Sequence, residues 1–184
     1  MRSGKLLPLV YVLAALLSGL VIPAFAQDSN SAKAHALVDA AIKMTDSEKA
    51  VKLLWQASDI DPQLEEPYVY LGMYYNSKQD FDDLAKVYQK LVKYQPNLVS
   101  AWLNVGEAYM SFTPPKSHEA LPYYRKAYEL DPHSSMAALR MGEIMAQQGD
   151  RDNAIRYLHQ AASDRANPSY SAEAQKILNQ MGAS

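Results

Sequence analysis

Large apolar side chains return every three or four positions along residues 31–182, and short polar stretches carrying Pro, Gly or Asp interrupt them. That interval is the period of an α-helix, so the pattern predicts a series of short amphipathic helices joined by tight turns. It is plainest between Trp102 and Pro132. Trp102, Val105, Gly106 and Tyr109 share one helix face, and Ala120, Tyr124 and Ala127 share another before Pro132. Two such faces meeting make a helical hairpin. Glycine inside a helix costs ~1 kcal/mol relative to alanine, so Gly106 makes physical sense where the second helix comes too close for a Cβ. On this reading Ala120 and Ala127 supply the facing small surface, Tyr109 and Tyr124 fill the space beside it, and Pro132 ends the second helix.

The same arrangement recurs. Pro62, Pro96 and Pro132 are separated by 34 and 36 residues, which sets a register of four segments, 31–64, 65–98, 99–134 and 135–168. The first carries Leu37, Ala50, Leu54 and Ala57 but has Val38 where a glycine is expected, and its second helix is predicted to start at Thr45 and Glu48 in capping-box spacing. In the second, Tyr68, Leu71, Gly72 and Tyr75 mark the first helix, Asp80 caps the next, and Leu84, Tyr88 and Leu91 point inward. The third holds an insertion in residues 111–117 and a proline, Pro122, one turn into its second helix, which must lose a backbone bond there or start late. The fourth has Met141, Gly142 and Met145, then a Gly149-Asp150 turn, then Ala154, Leu158 and Ala161. Beyond it Asn167 and Pro168 are predicted to cap and open a last helix, about 169–182, with Tyr170, Ala174, Ile177, Leu178 and Met181 on one face. Its other face is polar, as suits a helix closing a stack.

The recurring residues resemble the tetratricopeptide repeat, whose signature is Trp-x2-Leu-Gly-x2-Tyr, then Ala-x3-Phe-x2-Ala, then Pro. Val105 stands for Leu and Tyr124 for Phe in the third segment, and Leu84 replaces the small Ala in the second, with Ala85 next to it. The resemblance covers about residues 31–182. It implies an all-α, right-handed α-solenoid of four hairpins plus a C-terminal capping helix, and a non-catalytic protein-binding role.

Residues 1–26 stand apart. Arg2 and Lys5 precede an uncharged apolar run from Leu6 to Ile22, and Pro23-Ala24-Phe25-Ala26 ends in a small-x-small pattern. This reads as a secretory signal peptide cleaved after Ala26, with 27–30 a short disordered start to the mature chain. The alternative is an uncleaved inner-membrane anchor. The expected address is periplasmic or secreted. The chain has no cysteine, so neither a lipid anchor at the cleavage site nor a disulfide is available. Cleavage removes Arg2 and Lys5 and takes the net charge from −2 to −4. That balance gives no footprint for nucleic acid, and no basic amphipathic helix marks a membrane surface.

Catalytic chemistry finds no foothold. His118-Glu119 opens no His-Glu-x-x-His motif because Pro122 stands at the second histidine's place, and His35, His118, His133 and His159 share no ligand spacing. No metal or cofactor is expected. Function is therefore sought on the first helices of the hairpins, which in the tetratricopeptide family line a concave groove. The resemblance carries to this groove Glu66, Val69, Met73, Leu103, Glu107, Met110, Met136, Leu139 and Glu143. Their chemistry, an apolar strip beside carboxylates, suits a peptide or helix with apolar anchors and basic residues. A carboxylate clamp for acidic peptides does not fit, since His35 and Asp39 replace its Lys and Asn and only Arg140 is cationic nearby. Two rivals remain open. One is a homo-oligomeric scaffold built on Trp55, Tyr74 and Tyr75, and the other an enzyme site at residues 113–119.

Overall fold

The computed structural model describes residues 24–183, with side chains from residue 29 onward. The expected signal segment lies outside the described residues except for its last three, which open the first helix. Among the described residues there are nine helices and no strand: α1 Ala24–Ile42, α2 Ser47–Ile60, α3 Glu66–Ser77, α4 Phe81–Tyr94, α5 Val99–Met110, α6 Ser117–Leu130, α7 Ser135–Gln147, α8 Arg151–Ala162 and α9 Pro168–Gln180. Residues 27–30, expected to be irregular, belong to α1. Packing divides the chain into two units, and the division falls after Tyr70, inside α3.

In the first unit α1 and α2 form a hairpin. Ala34, Val38 and Ala41 of α1 and Leu54, Ala57 and Ser58 of α2 are buried. The start of α2 differs from the expected one. Asp46 is the N-cap, its carboxylate accepting from the Lys49 N–H at 3.1 Å. Asp accepts this bond at least as well as Thr, and placing it one residue later lets Ser47 open the helix. The first turn of α3 closes the unit: Tyr68 is fully buried and donates its hydroxyl to the Pro62 carbonyl at 3.0 Å.

The second unit repeats the hairpin. The last turns of α3 pair with α4, α5 pairs with α6, and α7 pairs with α8. Asp80, Ser134 and Asp150 cap α4, α7 and α8 by accepting from the N–H groups of Asp83, Ala137 and Asn153. The helical glycines lie at the crossings. A Cβ on Gly106 would come within 2.6 Å of the Tyr124 ring, so that ring, rather than Ala120 or Ala127, occupies the space the glycine leaves. Gly72 meets Tyr88 in the same way, and Gly142 meets Leu158. Gly149, at φ +81°, turns the chain between α7 and α8, a conformation open to glycine at little steric cost.

The insertion leaves α6 on time. The helix starts at Ser117 and keeps Pro122 inside it, exposed, so one N–H is missing from the ladder and the helix is not delayed. Residues 111–117 are held by packing. Phe112 lies 5.6 Å from Phe81 and 6.3 Å from Tyr109, ring centre to ring centre, and Lys116 Nζ sits 3.4 Å above the Phe112 ring. Helix α9 closes the unit with Ala174 and Leu178 buried in one core with Leu139, Ile144 and Leu158. Pro168 opens α9 as expected. Asn167 stands at the cap position, but its side chain donates to Asp164 at 2.8 Å instead of to the helix.

Candidate functional site

The nine groove positions do not form one exposed strip. In the first unit Glu66 is exposed and accepts from His35 Nδ1 at 2.8 Å, which ties α3 to α1 at the surface. Val69, on the same helix, is 51% exposed. Met73, at the start of the second unit, is 64% exposed. From α5 onward the side chains turn inward. Leu103 and Met110 are half-buried against the core of α6 to α9, and Met136 is half-buried with the Tyr170 hydroxyl 3.5 Å from its sulfur. Leu139 is fully buried, so it belongs to the core and leaves the candidate site. It is enclosed by the core that α6, α8 and α9 build around α7.

The carboxylates differ from expectation too. Glu107 of α5 and Glu143 of α7 are joined by Arg140. Its Nε donates to Glu107 Oε1 at 2.8 Å, its Nη2 to Glu107 Oε2 at 3.2 Å, and its Nη1 to Glu143 Oε2 at 2.9 Å. Glu173 of α9 approaches the same guanidinium at 3.9 Å. The Arg140 side chain is 23% exposed and that of Glu143 15%, so this is a half-buried network and not a solvated row of charges. Tyr124, buried beneath it, donates to Glu107 Oε1 at 2.5 Å.

The network shifts its members' titration. Burial raises the Glu143 carboxyl above the ordinary range, and Arg140 only partly pulls it back. Burial would lower Arg140, but its hydrogen bonds to Glu107 and Glu143 outweigh that and hold it above its usual value. Burial and the Glu107 charge raise Tyr124, which keeps its proton at any physiological pH. Three carboxylates around one guanidinium leave this face with an excess of negative charge.

Sequence reasoning named both glutamates and missed the tie between them. A signal was present: Arg140 and Glu143 stand at i, i+3 on one helix, and Glu107 is the counterpart of Glu143 in the preceding hairpin. The proposed aromatic surface is less free than expected, since Trp55, Tyr74 and Tyr75 are all half-buried and the two tyrosines pack edge to face at 5.3 Å. His118 and Glu119 are exposed, and among the described residues no group of three or more His, Asp or Glu could hold a metal ion. Among those residues no helix is long and apolar enough to cross a membrane.

Paired helices repeated along the chain, with a glycine at each crossing of the second unit and a single helix closing that unit, define a helical repeat fold. Residues 117–180 match the family model of the tetratricopeptide repeat, and the helical-repeat fold resembles that family's beyond them. Among similar solved structures, MamA superposes with a TM-score of 0.60 at 18% identity, over 74% of this chain and 80% of MamA. TTC0263, a thermophilic TPR protein of Thermus thermophilus, gives 0.57 at 18% identity, over 82% and 84%. PcrH, solved in complex with the chaperone-binding region of PopD, gives 0.57 at 22% identity, over 64% and 90%. Comparison with curated protein sequences gave no match.

Proposed function

We propose that this chain is a non-catalytic adaptor or scaffold of the bacterial envelope, exported by cleavage after Ala26, that holds a peptide or helix of a partner protein against the first helices of its hairpins. The observation that carries this reading is the exposure of Met73, 64%, at a position whose counterparts in later hairpins are drawn into the Arg140 network. An exposed methionine is flexible and polarisable and adapts to irregular apolar partners. The carboxylate excess around Arg140 favours a ligand that adds a lysine or arginine to its apolar anchor. The same fold in PcrH, whose structure holds a segment of PopD, supports a polypeptide as the ligand.

A photo-crosslinking residue at Met73, in the protein expressed in its own cells, tests the reading. The expected result is a covalent adduct with a second, different polypeptide, absent when the label stands at Lys176 on the outer face of α9. Equal adducts from both positions, or none from Met73, sink the groove reading, while an adduct of twice the chain's own mass replaces it with self-assembly. Export is tested separately by N-terminal sequencing of the protein from the envelope. Gln27 as first residue is expected, and an intact Met1 overturns cleavage.

A further inference from the structure

A second concave site lies away from the first-helix face, where α6, α7 and α8 meet. It is a cavity of about 300 Å³. Met141 and Met145, both nearly buried, contribute to its wall together with the half-buried Tyr128 and Tyr157, and Arg125 and Arg156 border it, both exposed. The two tyrosines are packed edge to face at 5.4 Å, and the Arg156 guanidinium lies 4.7 Å from the Tyr157 ring centre. Tyr128 is fixed in place by donating its hydroxyl to Gln160 at 2.6 Å, and Gln160 in turn donates to the Pro132 carbonyl. The cavity thus has apolar and aromatic walls held by bonds made elsewhere.

The charges around it are unequal in availability. Both acids are engaged within the chain: Glu129 pairs with Lys126 at 3.1 Å, and Asp150 caps α8, with its second oxygen taking the Asn153 amide at 2.8 Å. Arg156 spends one N–H on Asn153 at 3.0 Å and keeps the rest. Among the described residues Arg125 has no ion-pair or hydrogen-bond partner. What the cavity offers a visitor is therefore positive charge beside an apolar pocket, the reverse of the Arg140 face. A guanidinium stacked on an aromatic ring keeps its edge donors available to a carboxylate.

We propose that this cavity is a second docking site, for an acidic polypeptide segment that places one apolar or aromatic side chain against Met141 and Met145 and a neighbouring carboxylate on Arg125 and Arg156. The two sites of the second unit then select opposite charges, which lets one chain hold a basic segment and an acidic one at the same time. The proposal stands whether or not the first-helix face binds a partner.

The test uses the whole mature protein and a short fluorescein-labelled peptide of one phenylalanine flanked by glutamates, titrated by anisotropy at low salt. Saturable binding is expected. It should weaken about tenfold or more in Arg125→Glu, weaken in Arg156→Gln, and be unchanged in Met73→Glu. Arg125 is exposed, so its substitution spares the fold, which circular dichroism checks. A peptide with lysines for glutamates should not bind here, and one with glycine for phenylalanine should bind weakly. The proposal is overturned if no saturable binding is found, if Arg125→Glu binds as the parent does, or if Met73→Glu abolishes binding.

Discussion

His35, Val69, Leu103 and Leu139 stand at one position of successive first helices, and they run from exposed, through 51% exposed and half-buried, to fully buried. The next groove position repeats the trend, from exposed Asp39 and Met73 to the half-buried Glu107 and Glu143. The first hairpin and the last share a plan and differ in what covers it. At the C-terminal end, α9 reaches Met136 through Tyr170 and Arg140 through Glu173, so side chains that point to solvent early in the chain are enclosed late in it. Repeat position fixes where a side chain leaves the helix, and the neighbouring element decides whether it is surface or core.

That contrast can be broken most sharply at its two ends. Leu139→Ala should cost about 3 kcal/mol in urea unfolding, the range for a fully buried leucine, whereas Val69→Ala should stay within about 0.5 kcal/mol. Equal losses would mean that the two positions share one environment. Next comes Gly142→Val, which gives the last hairpin the residue type that Val38 supplies in the first. A Cβ on Gly142 would lie 2.7 Å from Leu158 Cγ, so a loss of about 1–3 kcal/mol is expected. A variant melting like the parent would show that the last crossing accommodates a valine as the first does with Val38.

Charge pairs give a smaller effect of the same sign. Arg140→Met leaves Glu107 and Glu143 without their cation in a half-buried setting, and a loss of about 1–2 kcal/mol is expected, below that of a fully buried pair. His35→Ala, which removes the exposed partner of Glu66, should be close to silent. The last effect is one of pH. Hydrogen bonds from Ser135, from Asn167 and from the Ala166 N–H lower Asp164 from 3.8 to about 2. A lowered carboxyl stabilises the fold above its unfolded value, and the contribution fades as pH falls from 3.8 towards 2. Asp164→Asn should therefore flatten the fall of melting temperature across that window and leave the curve of the first unit's variants unchanged.

The hairpins, their glycines and the Asp80 cap were legible because each is local: a period, a small residue facing a large one, an aspartate three residues before the N–H that donates to it. The crossing partner of Gly106 was misread because both alanines and Tyr124 lie on the facing helix, and only the approach angle decides which of them fills the gap. Leu139 was misread for another reason. Its repeat position is a groove position, and its burial comes from a core that gathers residues of α6, α8 and α9 around α7. The Arg140 network and the Arg125 cavity both join side chains from different hairpins. A repeat register places such residues at equivalent heights, but it does not say which of them touch.

Helix α9 also bears on how such a chain could change length over generations. Its outer residues Ala172, Gln175, Lys176, Asn179 and Gln180 are all exposed, and four of the five are polar or charged. A duplicated hairpin inserted after it would find no apolar surface to stack on. One inserted before it would meet the same face that α9 now covers. Gene duplication should therefore lengthen this array only upstream of Pro168, with α9 carried along unchanged as the end piece.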